Sequence, residues 1–437
     1  MSGAASARWW LGQECRALLT RLDRLDYFAV IEPMVAAAAP DRNATVRIER
    51  YLFEDRSRMR RLITNHLTAL YAAKSDVGAQ ELQRRFAFVR LRFNALLADF
   101  DTFSDVMTQR SEAPFGVWLA GLDVAAASAL ELPGAGIEVP PVACYLDRGH
   151  GAAIRRARTR LTTGGENPVA IIRIPRERMV GSGIAASLFH EVGHQAAEIL
   201  NLLVSLRQVL WAKQLLAGPE RIAWALWERW ISEISADFWA MAHLGVGATL
   251  GVFGVLSLPS AFVFRIDTDD PHPFPWLRAV LSCRLGRALF PHPQWDRLET
   301  MWRSLYPLDG LDTRRLALVR TLEATMPEFV NLLVNHRVTA IGGRTIPGLL
   351  QSSSRSPEQL RTHYQRWRAA RSGMLHAPPP LALAALGQAK ADSSLSPEGE
   401  SKLVLALLRS WALQRCLSLP GPVQPKCHCR RKSSNSH

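Results

Sequence analysis

Residues 187–198 read SLFHEVGHQAAE, with His190 and His194 four positions apart. In an α-helix this spacing places both imidazoles on one face, about one turn apart, where they can reach the same point. Two such histidines suit two of the three protein ligands of a catalytic zinc ion. Glu191 lies beside that face, so it can act as a general base toward an activated water without taking a coordination position. Apolar residues at four-residue spacing give the predicted helix a buried side: Ile184, Leu188 and Val192.

A third ligand is needed, and the residues directly after the motif do not supply it. Glu198 lies two helical turns from His190, about 12 Å along the axis, whereas all ligands of one zinc ion lie within about 2.2 Å of it. Ala197 and Leu200 stand where the extended metzincin motif would have a Gly and a third His. Without a third ligand, the pattern would equally describe two helix histidines with no metal. The missing ligand therefore has to come from another helix.

The next strong helical pattern, residues 227–239, carries two carboxylates on one face, Glu233 and Asp237. Their neighbours on this helix are largely apolar, and carboxylates in such surroundings are costly to bury unless they meet a cation. We therefore predict that Glu233 is the third zinc ligand. Asp237 is predicted to accept the second N–H of a ligand histidine and so to fix its tautomer. The alternative interpretation is an acidic pair exposed to water.

A third motif, HPFPWLR at residues 272–278, completes the pattern HExxH, ExxAD and HPxxxxR. Together the three motifs resemble the gluzincin metallopeptidases, in particular relatives of the CAAX prenyl endopeptidase and the bacterial HtpX heat-shock protease. The resemblance covers residues from about 168 to 285 and implies a zincin-like catalytic domain, with a small sheet and active-site helices, that hydrolyses peptide bonds of a protein or peptide substrate. The resemblance implies that His190, His194 and Glu233 are ligands of Zn²⁺ and that Glu191 is the catalytic base. It implies that Asp237 supports a ligand histidine from the side away from the metal. It places His272 and Arg278 near the active-site cleft, where they would steady an oxyanion or the helix that bears Glu233.

Short segments rich in β-branched residues predict two strands, at 137–146 and 169–175. Proteases of the resembled group carry an edge strand just before the active-site helix, which takes substrate backbone as an added strand. The residues 170–173 are a candidate for that strand, and an ordinary sheet strand is the alternative.

Helical patterns dominate the rest of the chain, so we expect a mainly α (α+β) fold. The predicted organisation has three parts: a helical N-terminal region at 1–134, a zincin-like metallopeptidase domain at 135–345, and a helical extension with a disordered basic tail at 346–437.

The chain has 437 residues, of which 48% are hydrophobic, and this composition excludes wholesale disorder. Its formal net charge of +14 invites an anionic partner. Because the predicted site is acidic, such a partner would engage the basic N-terminal helices, for example residues 56–61, or the C-terminal tail. Most of the basic residues are Arg, and a composition heavy in Arg, Ala and Leu is what a high-GC bacterial genome gives to any protein.

The sequence favours a cytoplasmic protein. Trp9-Trp10-Leu11 is followed by polar residues without the pattern of a signal peptide, and the six cysteines form no disulfide framework. Residues 244–264 are uncharged and long enough to cross a bilayer. Their several Gly residues and Pro259 favour a buried core helix followed by a turn, with membrane association as the alternative.

Three further patterns carry weaker predictions. Cys427-His428-Cys429 could bind a metal ion together with Cys416, but the four residues lack the usual spacing of such a site. Residues 267–270 (DTDD) resemble a loop that binds a cation, but they lack the Gly and terminal Glu of an EF-hand. Cys144 and Cys283 are predicted to be core thiols. Beside a zinc endopeptidase, the sequence leaves two functions open: a non-catalytic interaction protein with the same fold, and a membrane-anchored metalloprotease.

Overall fold

The structure is a computed structural model that describes residues 3–25, 33–73, 77–148, 151–178, 181–216, 218–370 and 372–418. Within these ranges the chain forms 17 α-helices and one three-stranded sheet. The prediction of a mainly helical chain with a small sheet is thus confirmed.

Three long helices build an N-terminal bundle: α1 (Gly3–Arg24), α2 (Arg42–Ala72) and α3 (Ala79–Thr108). They pack on one another around a hydrophobic core of their own. Apolar residues at helical spacing, such as Leu18 and Leu22, face this core, and most of the Arg residues lie outside it. The helices predicted for this part of the sequence are therefore present.

The sheet contains β1 (Val142–Asp147), β2 (Ala153–Arg155) and β3 (Ala170–Pro175) in the order β1-β3-β2. β3 is parallel to β1, with Ala170 opposite Val142, and antiparallel to β2, with Arg173 opposite Ala153. The two predicted strands are confirmed, whereas β2 was not predicted. Since β3 lies between two strands, the interpretation of residues 170–173 as an edge strand is wrong, and the ordinary sheet strand is correct. The edge on that side of the sheet is β2.

Both faces of the sheet are buried, each in a different core. Cys144 and Ile172 point into the larger core, which continues through the rest of the molecule, whereas Ala143 and Ile171 point into the core of the bundle. Successive side chains of a strand point to opposite faces, so a strand covered on both faces needs a nearly continuous apolar run. This requirement explains the β-branched stretch of β3.

The larger core is built by the remaining helices, which are listed here: α4 (Phe115–Leu130), α5 (Ser182–Ile199), α6 (Leu202–Leu216), α7 (Arg221–Leu244), α8 (Val246–Leu256), α9 (Ser260–Val263), α10 (Pro275–Leu289), α11 (Gln294–Leu305), α12 (Thr313–Asn335), α13 (Ile346–Leu349), α14 (Pro357–Ala369), α15 (Ser372–His376), α16 (Pro379–Ala391) and α17 (Pro397–Ser418). α4 packs against α17 and β1, so helices from both sides of 135–345 share this core. The predicted domain boundaries stay a prediction.

The close approach of α5 and α7 depends on Gly193, the fourth residue of HEVGH. A Cβ atom at this position would lie 2.8 Å from Cα of Ala236 and 2.9 Å from Cβ of Trp239. Only a residue without a Cβ lets the two backbones come this near. The motif helix and the helix of Glu233 are thereby held side by side.

The uncharged segment at 244–264 forms α8, a break at 257–259 and the short α9. Most of α8 is buried, as the interpretation of a core helix followed by a turn requires. Among the residues that the structure describes, no helix combines the length and the apolar character needed to cross a bilayer.

The cysteines divide between the core and the end of the chain. Cys144 and Cys283 are buried free thiols, which confirms the prediction of core thiols. Cys416 is partly exposed near the end of α17. The predicted basic tail, with Cys427-His428-Cys429, lies outside the described residues.

Candidate metal centre

The three predicted ligands lie together. The Nε2 atoms of His190 and His194 are 3.1 Å and 3.4 Å from Oε2 of Glu233. One candidate ligand atom from each of the three residues lies within 4.8 Å of the others. The two imidazole rings are 4.9 Å apart and nearly perpendicular, and all three side chains are only 13–16% exposed. Residues 43 positions apart in sequence thus present their donor atoms to one small space.

The donors fit a zinc ion chemically. Two imidazole nitrogens and one carboxylate oxygen are the protein ligands of one common class of catalytic zinc site, which leaves a position open for water or substrate. Asp237 Oδ1 lies 2.8 Å from Nδ1 of His190, so the carboxylate accepts the Nδ1–H and leaves Nε2 directed at Glu233. This is the orientation that a ligand histidine needs.

Arg278 extends the same chain of contacts. Its Nε donates to Oδ2 of Asp237 at 2.7 Å, and its Nη2 donates to Oδ1 at 2.8 Å. Burial works against a charged Asp237, but the Arg278 guanidinium outweighs burial and lowers the pKa of that carboxyl. Arg278 therefore contacts Asp237 directly. It holds the Asp237 carboxylate in place, and Asp237 in turn orients His190.

His272 reaches the centre from the loop before α10. Its Nε2 is 3.1 Å from Oε2 of Glu233, and its side chain is 44% exposed. Asp270 accepts hydrogen bonds from the backbone N–H of His272 at 2.8 Å and from its Nδ1 at 2.9 Å. The sequence indicates Asp270 only as part of the acidic stretch 267–270. An Asp two positions before a His is too common a spacing to predict the contact that the structure shows.

Glu191 is almost completely buried, with 6% exposure. Burial raises its pKa, although the neighbouring His190 and His194 oppose the shift. A carboxyl with a raised pKa holds a transferred proton better than an exposed one, as a general base that later acts as an acid requires.

Two of the candidate ligands, His190 and Glu233, have pKa values shifted in opposite directions. Burial disfavours the charged form of His190, but the hydrogen bonds to Asp237 and Glu233 outweigh it and raise its pKa to about 9. Burial likewise disfavours ionised Glu233, and the hydrogen bonds with His190, His194 and His272 nevertheless lower its pKa. The carboxylate of Glu233 is thus in contact with the imidazoles of His190, His194 and His272.

Two cavities meet at this cluster. A cavity of about 700 Å³ lies along β2 and contacts His190, His194 and Glu233. A second, of about 240 Å³, extends on the other side between α5 and α8, and Glu191, His190 and His272 line both cavities. Glu198 is not among the ligands, because it lies on the rim of the larger cavity and pairs with Arg156 at 2.8 Å.

No protein-family model, no curated protein and no solved structure matches this chain.

Proposed function

We propose that the protein is a zinc-dependent endopeptidase that hydrolyses peptide bonds, with Glu191 as general base. The observation that carries this proposal is the convergence of His190, His194 and Glu233, whose donor atoms lie within 4.8 Å of one another, at the meeting point of two cavities. A buried cluster of this composition with no cation would bring together groups that are costly to desolvate.

When bound, zinc supplies Lewis-acid activation of a carbonyl group and lowers the pKa of water. His190, His194 and Glu233 would hold it, and Asp237 with Arg278 would keep His190 in the required tautomer. Such supporting contacts typically change metal affinity or activity by about 10- to 100-fold.

Glu191 would do the proton transfer. It lies beside the ligands without being one of them, so it can take a proton from the attacking water and later give it to the leaving amine. His272 is held by Asp270 and half exposed at the edge of the cluster, where its Nε2 would donate a hydrogen bond to the carbonyl oxygen as negative charge develops there.

The substrate backbone would bind at β2 rather than at residues 170–173. Among the strands that the structure describes, β2 pairs with β3 alone, and Ala153 and Ile154 line the larger cavity beside His190. An extended peptide can add to such an edge through main-chain hydrogen bonds, which bind any sequence in the same way. This mode suits an endopeptidase that acts on unfolded chains.

The test compares wild-type protein with Glu191→Gln. We expect about one zinc per chain in both, by metal analysis after purification, and a fall of about 10²- to 10⁴-fold in cleavage of an unfolded protein in the variant. Glu328→Gln is the matched control, because Glu328 is an exposed residue of α12 that pairs with Lys213.

Two results would contradict the proposal: purified protein without stoichiometric zinc, or full activity in Glu191→Gln. A wild-type protein that keeps zinc but cleaves nothing would favour the non-catalytic interaction protein. Solubility of the full chain without detergent would count against a membrane-anchored protease.

A further inference from the structure

The loop after β2, residues 156–169, connects the candidate metal centre to the N-terminal bundle. Its first residues contact α5, the helix of the HExxH motif, and its tip reaches the core of the bundle, where Leu161 is 4% exposed. β2 itself has three residues, and among the described strands it has one neighbour. Two paired strands are at best marginally stable by themselves. The loop therefore contributes to holding β2 in place.

The base of the loop is attached to α5 by Gln195, the residue directly after His194. Gln195 is 1% exposed, and its Oε1 accepts a hydrogen bond from the backbone N–H of Ala157 at 2.8 Å. Loss of a buried acceptor leaves its donor without a partner, which is costly. Arg156 and Glu198 also pair at 2.8 Å, but their side chains are 36% and 57% exposed, and exposed ion pairs add little. Gln195 is therefore the main polar connection between the loop and the motif helix.

Asn167 joins the two ends of the loop. It is 1% exposed, and its side-chain amide donates to the carbonyl oxygens of Arg155 and Arg156 at 3.2 and 3.1 Å. Its backbone N–H donates to the carbonyl of Thr159 at 2.8 Å, and its own carbonyl accepts from the N–H of Arg158 at 2.8 Å. The last residue of β2 is thus bonded to the segment that leads into β3, so a shift of the loop also shifts β2.

The tip of the loop is held by polar side chains of the bundle. Asp99 accepts hydrogen bonds from the backbone N–H groups of Thr162 and Thr163 at 2.8 and 3.0 Å. The Oγ1 of Thr163 donates to Asp55 at 2.9 Å and lies 2.8 Å from Oη of Tyr51. Residues of two bundle helices thus fix the tip, and the position of the loop depends on the packing of the bundle.

The proposed reaction needs β2 in a defined place. Ala153 and Ile154 line the larger cavity together with His190 and Glu191, and a peptide added to β2 would bind through the main chain of this strand. A strand that moves has to be ordered when the peptide binds, and this ordering reduces the affinity. Attachment of the loop at its base and at its tip keeps β2 ordered before the substrate arrives.

We propose that Gln195 is a positioning residue that holds β2 against the motif helix, ready to accept a substrate strand, and that the loop after β2 extends this support to the bundle. This inference rests on the proposed peptidase function and deepens it, because it gives the bundle a role in substrate binding. The candidate metal ligands do not depend on the loop, since α5 and α7 contact each other directly at Gly193.

The first experiment measures hydrogen exchange of the purified full-length protein by mass spectrometry. Gln195→Met keeps the length of the side chain and removes the acceptor of the Ala157 N–H, so peptides that cover residues 153–157 should exchange about tenfold faster. Gln195→Glu keeps an acceptor oxygen and should exchange like the wild type. Gln208→Met, at an exposed position of α6, is the matched control. Unchanged exchange in Gln195→Met, or equal acceleration in Gln195→Glu, would overturn the proposal.

Thr163→Val tests the connection to the bundle. It keeps a β-branched side chain but removes the hydroxyl that contacts Asp55 and Tyr51. We expect exchange at residues 153–157 to be about threefold faster, with the zinc content of the wild type. Thr68→Val is the control, because Thr68 is an exposed residue of α2 whose hydroxyl donates to the carbonyl of Thr64 in the same helix. Faster exchange confined to the bundle and the loop tip would contradict a role of the bundle in holding β2.

Kinetics separate positioning from a merely structural role. With casein, an unfolded protein, as substrate, we expect KM to rise about tenfold in Gln195→Met while kcat stays within about twofold, because Glu191 and the candidate ligands are unchanged. A lower kcat with an unchanged KM would indicate loss of folded enzyme and would contradict the proposal. If the wild type cleaves nothing, the proposed function fails, and hydrogen exchange decides on the positioning of β2 alone: unchanged exchange in Gln195→Met would overturn it.

Discussion

The bundle and the metal centre each bury a pair of carboxylates, and the two pairs have different partners. In the bundle, Asp55 and Asp99 are 4% and 0% exposed. Asp99 accepts hydrogen bonds from Tyr51 Oη at 3.0 Å and from the backbone N–H groups of Thr162 and Thr163 at 2.8 and 3.0 Å. Asp55 accepts a hydrogen bond from Thr163 Oγ1 at 2.9 Å and pairs with the Arg58 guanidinium. At the candidate metal centre, Glu233 and Asp237 are each 13% exposed, and their partners are imidazoles in addition to a guanidinium.

This difference separates buried acids that tie two segments together from buried acids that we propose to serve a metal site. The hydroxyl and backbone N–H groups around Asp99 are hydrogen-bond partners that do not suit a metal site, and they tie the loop after β2 to the bundle. Neutral imidazole nitrogens such as those around Glu233 can bind a metal ion, and these face two cavities. Burial of an acid alone therefore does not identify a site, since the partners decide its role.

The largest effect is expected from a change that moves α5, which carries His190 and His194, away from α7, which carries Glu233. In Gly193→Ala, the new methyl group meets the backbone of Ala236, which cannot move as a flexible side chain can. Helices α5 and α7 must then shift apart, and the distance from His190 and His194 to Glu233 grows. We expect zinc to be lost on purification and the free energy of unfolding to fall by about 1–3 kcal/mol.

Gly183→Ala is the control for this variant, because it lies in the same helix and a Cβ there meets nothing within 4 Å. It should keep zinc and gain about 0.4–1 kcal/mol of stability. If Gly193→Ala also kept its zinc, the close contact of the two helices would be irrelevant to the centre.

The second prediction removes a carboxylate from the bundle. Asp99→Ala removes the acceptor of the Tyr51 hydroxyl and of the Thr162 and Thr163 N–H groups, of which the hydroxyl is the most buried. Loss of a buried hydrogen-bond partner costs about 1–3 kcal/mol. We expect urea unfolding to show a loss of stability in this range, while zinc content stays at the wild-type level because none of the three candidate ligands has changed.

Asp101→Ala, an exposed position on the same helix, should change stability by no more than about 0.5 kcal/mol. Loss of zinc in Asp99→Ala would contradict the separation of the two regions. It would instead mean that the bundle positions the metal centre through the loop after β2.

The sequence predicted the side-chain cluster of His190, His194 and Glu233 better than it predicted the bundle network. Glu233 and Asp237 could be found because they lie four residues apart on one apolar helix, close in sequence to HExxH. Asp55 and Asp99 lie on different helices, and the Thr162 and Thr163 groups that contact them lie on a third segment, so no local spacing predicts the network. What brings them together is the packing of the bundle against the sheet.

The fold was predictable to a similar extent. Long helices with apolar periodicity and the β-branched runs of β1 and β3 could be recognised locally. β2 has only three residues, and its pairing with β3 depends on a loop that folds back, so neither its existence nor the sheet order follows from periodicity. The assignment of residues 170–173 to a sheet edge failed for this reason.

The smallest expected effect concerns a histidine buried in the larger core. His243 is 3% exposed, and its ring packs against Phe189 and Trp239. Burial lowers its pKa well below the usual range, and the charge of Arg355 acts in the same direction. In the folded protein His243 therefore stays neutral, whereas in the unfolded chain it takes up a proton below about pH 6.5. Falling pH then favours unfolding, by about 1.4 kcal/mol per pH unit for one such group.

His243→Phe tests this contribution, because Phe keeps an aromatic ring at the position and removes the proton site. Urea unfolding between pH 7 and pH 5 should show a shallower loss of stability than in the wild type, by about one proton in the slope. His66→Phe is the counterpart in the bundle: the pKa of His66 is also lowered by burial and by Arg85, but its side chain is only partly buried, so a smaller change of slope is expected. An unaltered slope in His243→Phe would mean that the larger core admits a charged His243, and the deeper burial of His243 compared with His66 would then have no effect on protonation.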